Sequence, residues 1–166
     1  LVGDYAVAPR DAYYSGACDG FPPDQSGLVS QLILLSDPEG HVILEEDMSR
    51  EPLGPVTRHG DNNWNDIVSW VVQCTFNAEL LGINQENVDS FLGSDDPAIQ
   101  NVLGEAGDHG TAMGLSNDFC YQVISQVGNY EDIYNRNLGP DTPFNLARAR
   151  NSLYTDGGVI YPIPFR

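Results

Sequence analysis

The run Cys18-Asp19-Gly20-Phe21-Pro22-Pro23-Asp24-Gln25-Ser26-Gly27-Leu28-Val29 sets the architecture expected of this chain. Cys18 to Phe21 suits a short strand, and Pro22 and Pro23, which lack backbone donors, end any central pairing there. Asp24 then opens a helix. Leu28, Val29, Leu32, Ile33 and Leu35 recur at helical spacing, and an aspartate ahead of the first turn can accept from its orphan N–H groups. Beyond this helix Asp37-Pro38-Glu39-Gly40 is a turn, His41-Val42-Ile43-Leu44 reads as a second strand, and Glu45 to Arg50 as a polar connection. Two such units in succession predict an α/β fold with parallel pairing.

Towards the C-terminus the pattern turns helical. Arg50-Glu51-Pro52-Leu53-Gly54-Pro55 places two prolines around a glycine, which favours an extended crossing over a helix and marks the best internal boundary. A short strand over Pro55 to Arg58 and a turn at His59-Gly60-Asp61 lead into the longest helix. In it Trp64, Ile67, Val68, Val71, Thr75, Ala78 and Leu81 recur every three or four residues, and Gly82 is placed to end it. A second helix is expected near Asn84, a third from Pro97 to Leu103, a fourth capped by Asn117 with Cys120, Val123, Ile124 and Val127 inward, and a fifth over Tyr130 to Leu138. The apolar tail, Val159 to Phe165, has to lie against the rest of the fold.

The 166 residues carry 24 Asp plus Glu against 7 basic residues, all Arg, for a net charge of −17. Such a balance repels phosphate backbones and anionic lipid, so nucleic acid is a poor partner. At 41% hydrophobic, the chain still has the material of a core. A Lys-free acidic surface suits salty surroundings, where screening relieves self-repulsion. No 18-residue uncharged apolar run and no basic leader followed by an apolar run are present, so neither membrane insertion nor a signal peptide is expected in this chain. Cys18, Cys74 and Cys120 permit one bridge at most, and burial as inert thiols is the simpler expectation for Cys74 and Cys120.

Motifs of catalysis are absent: no nucleophile elbow, no phosphate-binding glycine loop, and no metal-ligand spacing among His41, His59 and His109. No enzyme activity, cofactor or metal is expected. Asp61, Asn62, Asn63 and Asp66 lack the central Gly and distal Glu of a calcium loop. The candidate that remains is Asp24, after a strand and at a helix start, where open α/β sheets bind ligands. N-capping is the alternative, and the two are compatible: one carboxylate oxygen can cap while the other pairs with a ligand ammonium.

Ser15 to Asp24, followed by Gln25-Ser26-Gly27-Leu28, resembles a motif of the periplasmic polar or general L-amino-acid-binding proteins of ABC transporters. The resemblance continues through Asp37-Pro38, His41 to Leu44, Ser49 to Pro55, Trp64, Ala78 to Ile83 and Asn87-Val88-Asp89. It resumes at Gly114-Leu115, Asn117-Asp118, Gln126 to Tyr130 and Leu153 to Gly158, and ends with Pro162 and Pro164-Phe165-Arg166. It implies a type II periplasmic-binding-protein fold, two α/β lobes joined by crossing strands, of which this chain matches the C-terminal part. Residues 1–52 would be a partial second lobe with parallel β-α-β elements, and residues 53–166 the crossing segment, near Glu51 to Leu53, with the helix-rich part returning to the first lobe.

On this resemblance Asp24 matches the acid that receives the ligand's α-amino group, while the carboxylate-binding arginine falls in the portion not matched. Pro22 and Pro23 stand where close relatives usually have threonines. Cys18 matches a cysteine whose disulfide partner lies further upstream. The implied role is an extracytoplasmic, periplasmic solute-binding component that takes a polar L-amino acid to a membrane permease, incomplete in this chain. The alternative is a non-catalytic structural or oligomeric module that keeps part of the fold and self-associates.

Overall fold

The computed structural model describes residues 7–44, 46, 48–49 and 52–166. The chain divides into two compact units, Leu1–Pro52 and Leu53–Arg166.

In the first unit, α1 (Val7–Tyr14) and α2 (Gln25–Leu32) are short helices, followed by a single 3-10 turn over Pro38–Gly40. Asp24 occupies the N-cap of α2 with extended backbone. The helix stops at Leu32, short of the expected Leu35, and Ile33 and Leu34 continue as turn. Val29 is buried, whereas Val42 and Leu44 are 80% and 71% exposed. What ties α1 to the rest of the unit is aromatic: the Tyr13 ring lies 5.3 Å from Phe21 and 5.4 Å from His41. Next to it the Tyr14 hydroxyl donates to Gln31 Oε1 at 3.0 Å.

The second unit is built on α3 (Asn62–Leu80), whose first turn is capped by the Asp61 carboxylate accepting from Trp64 N. Free of Gly and Pro, α3 runs to Leu80, with Leu81 as its C-cap, and is closed by Gly82 at φ 71°, with Ile83 N bonding back to Ala78 O at 2.8 Å. A 3-10 turn (Val88–Phe91) precedes α4 (Pro97–Leu103), which has Asp96 as cap and proline in its first turn. Gly104, at φ 78°, lies so close to the chain at Asn117 that a Cβ there would sit 2.0 Å from its carbonyl oxygen. Only glycine fits at this crossing. A single turn, α5 (His109–Ala112), leads to α6 (Phe119–Val127) and α7 (Tyr130–Leu138).

Helix α3 packs against α4, α6 and α7, and α6 against α4. Their shared core holds Cys74, Ala78, Ile83, Leu103, Cys120 and Ile124, all almost wholly buried. At the α7 start Asn129 and Asp132 form a capping box, Asn129 Nδ2 donates to Ile83 O, and the Asp132 carboxylate also accepts from Gln85 N. The expected tail does lie on the fold. Ile163 N donates to Gln73 Oε1 at 2.7 Å, Asn77 Nδ2 donates to Ile163 O at 2.9 Å, and Phe165 is buried against Trp70, His109 and Phe119.

The expected α/β, partial two-lobe periplasmic-binding-protein-like fold is not what forms: the described residues are almost entirely helix and irregular chain. Their one isolated β-bridge, parallel, joins Leu153 and Ile160. The segments expected as strands, Cys18 to Phe21, His41 to Leu44 and Pro55 to Arg58, have no ladder partner among the described residues. An extended segment becomes a strand only when a neighbour takes up its N–H and C=O groups, and β-rich composition is a weak prior without one. Glu45, Asp47, Arg50 and Glu51, from the expected polar connection and crossing, lie outside the described residues.

Three smaller expectations also change. Trp64, placed on the buried stripe, is 52% exposed, and Trp70 is the tryptophan that packs inward, edge-on to Phe165. The helix expected near Asn84 is a turn organised by Asn84 and Asn87 side chains bonded to nearby backbone, a local competitor of helix. Cys74 and Cys120, expected as inert thiols, form a disulfide that joins α3 to α6. Both fall on the apolar faces the periodicity identified, and those faces meet.

Candidate functional site

Asp24 is exposed, and its side chain makes no hydrogen bond to the helix it caps. Its backbone does that work: the Asp24 carbonyl accepts from Leu28 N at 2.9 Å, closing the first turn of α2. Of the two readings open to this residue, side-chain capping is therefore not used, and the carboxylate stands clear at the positive end of a helix. Two prolines lead into it. Each fixes φ near −65°, so the arm from Phe21 to Asp24 has few ways to flex. Pro23 packs over the first turn of α2, where a Cβ on Gly27 would sit 3.7 Å from Pro23 Cβ.

At the other end of the arm, the Tyr13 hydroxyl shares a hydrogen bond with His41 Nδ1 across 28 positions of sequence. Nothing in the sequence pointed to Tyr13 and His41 as a pair, because a contact at that separation leaves no periodic trace. Chemically, the arrangement offers an exposed carboxylate able to accept from a cation.

The second unit holds a buried charged cluster. Arg148 forms a two-pronged ion pair with Glu79, Nη1 to Oε1 at 2.6 Å and Nη2 to Oε2 at 3.1 Å, and Nη2 also donates to Asn151 O at 2.7 Å. The guanidinium lies 5.4 Å from the Tyr130 ring centroid and 5.9 Å from that of Tyr134. Burial raises the pKa of both tyrosines, so the rings stay neutral and their faces favour the cation. Burial likewise holds the Glu79 carboxyl above its ordinary range, with Arg148 opposing the rise. In this cluster Arg148 Nε is a buried donor without a partner in the structure, while both Nη atoms are bonded within the protein, as expected of a structural clamp. Among the described residues no group of three or more His, Cys, Asp and Glu gathers to hold a metal ion, and no helix is long and apolar enough to cross a membrane.

No protein-family model matches the chain. It is 46% identical over 157 residues to the general L-amino acid-binding periplasmic protein AapJ of Rhizobium johnstonii, a match covering 93% of this chain and 46% of the relative. It is 44% identical over 158 residues to the glutamate/glutamine/aspartate/asparagine-binding protein BztA of Rhodobacter capsulatus, covering 95% of this chain and 47% of that one. Among solved structures, an ABC transporter periplasmic binding protein from Brucella ovis with glutathione bound superposes with a TM-score of 0.87 at 42% identity, over 95% of this chain and 50% of that one. The chain thus spans about half the length of the relatives it matches.

By sequence and by structure the chain is similar to about half the length of periplasmic solute-binding proteins of amino-acid ABC transporters. The Rhizobium relative and the Brucella structure are both periplasmic proteins by name. A buried disulfide is at home in that oxidising compartment.

Proposed function

We propose that this chain is the portion of an amino-acid-binding transport component that receives the ligand's α-ammonium, through the carboxylate of Asp24, and that the whole protein hands its ligand to a membrane permease. The observation that carries the reading is that Asp24 is exposed and its carboxylate caps nothing. The ligands in the relatives' names differ in side chain: general L-amino acids, glutamate, glutamine, aspartate and asparagine, and, in the Brucella protein, glutathione. All carry an α-ammonium beside an α-carboxylate, so a lone carboxylate is the partner they can share. The groups that would hold the ligand's own carboxylate fall, on the resemblance, in the length this chain does not span, so binding by the chain alone is weak.

Heteronuclear NMR titration reads millimolar affinities and suits that expectation. L-glutamate, L-glutamine and glutathione should shift the amides of Gln25 to Leu28, and glutarate, which lacks the amino group, should not. Asp24→Asn should weaken the amino-bearing ligands roughly tenfold, the size of one hydrogen bond to a charged group. Equal response to glutarate, unchanged affinity in Asp24→Asn, or no response to any of the four would overturn the reading.

A further inference from the structure

We propose that Tyr13 and His41 are positioning residues for Asp24, acting through Phe21 and the two-proline arm; this deepens the reading of Asp24 as the ammonium acceptor and rests on it. The path consists of four contacts in one unit. The Tyr13 hydroxyl is bonded to His41 Nδ1, which pins the far end of the Tyr13 side chain. That ring packs on Phe21 at 5.3 Å. From Phe21 the chain has two proline φ angles fixed by their rings before it reaches Asp24, so a shift of Phe21 is passed on rather than absorbed. On the far side, Tyr14 holds Gln31 in the last turn of α2, the helix whose first turn Asp24 closes. Adjacent tyrosines of α1 thus grip both ends of the segment that carries the carboxylate.

The placement matters because the unit has little else to hold Asp24 in place. Val29 is its buried apolar side chain among the described residues, and the Asp24 side chain makes no bond to its own helix. A carboxylate that does not cap is free to swing unless the backbone beneath it is fixed, and a charged hydrogen bond to a ligand loses strength steeply with misalignment. The Pro22-Pro23 pair gains a purpose here: it makes the arm stiff enough for an anchor at Phe21 to govern an acid at Asp24.

Hydrogen exchange on the ligand-free chain tests this independently of binding. The amide of Leu28, bonded to the Asp24 carbonyl, reports the turn, and that of Gly128, bonded to Ile124 O in the second unit, reports general loosening. Tyr13→Phe and His41→Ala should each speed exchange at Leu28 about fivefold, the worth of one net hydrogen bond, without moving Gly128. His41→Asn keeps a polar atom at the place of Nδ1 and should bring Leu28 back to within about twofold of the native rate. No change at Leu28, equal acceleration at Gly128, or His41→Asn exchanging as fast as His41→Ala would overturn the proposal. If Leu28 responds as expected and Asp24→Asn leaves ligand affinity intact, the positioning stands and the ammonium reading falls. The reverse result removes the positioning alone.

Discussion

Reducing the Cys74–Cys120 bond should cost the chain more than any single side chain. The two cysteines are 46 positions apart and both fully buried. In the chain-entropy description a cross-link removes a constant of about 2 cal/mol/K plus a logarithmic term that, for a loop of this length, is about 11 cal/mol/K. At 298 K this is ~4 kcal/mol of stability, held mainly as a restriction on the unfolded chain. Urea unfolding, followed by circular dichroism on oxidised protein and on protein refolded in reductant, measures it directly. With a slope of ~2 kcal/mol/M, the midpoint should fall by ~2 M. Because α3 and α6 bury the bond completely, the folded chain should also resist reductant that the unfolded chain does not. A midpoint shift below about 0.5 M, or three titratable thiols in the denatured, unreduced protein, would refute the reasoning.

Three further outcomes follow from the second unit. Glu79→Ala strands Arg148 with its charge inside the protein and should lower stability by ~3 kcal/mol, about 12 °C in the melting temperature, whereas replacing both residues by Met should cost far less; equal losses in the single and double variants would contradict this. Since burial raises the Glu79 pKa above the ordinary 4.5, the folded state holds that proton more tightly than the unfolded one. This contribution to stability is full below 4.5 and is lost as pH rises through the folded value, and Glu79→Gln should remove that part of the pH slope in urea midpoints. Phe165→Ala should cost ~3 kcal/mol and shift Trp70 emission in a Trp64→Phe background; unchanged emission would mean that the tail does not rest on α3.

Helix positions were legible in the sequence where they depended on neighbours along the chain. The proline at the start of α4, the stripe of α3 and the range of α7 follow from spacing and caps. Strands were not, because their existence depends on a partner segment that local pattern cannot supply: His41 to Leu44 has the residues of a strand but, among the described residues, no strand paired with it. The same limit explains Trp64. It shares the period of the α3 stripe but stands in the first turn, where that face is not covered. Of the candidate site, Asp24 and its prolines were readable as a helix start. The Tyr13–His41 contact was not, since it joins two segments that only the folded backbone brings together.

Sealing two of three cysteines into a core bond leaves Cys18 as the one thiol of the chain, half-exposed and a short way before Asp24. A maleimide dye should therefore attach at a single place without any engineered residue, next to the arm that carries the carboxylate. In this chain that thiol is an attachment point for an optical probe of the segment around Asp24.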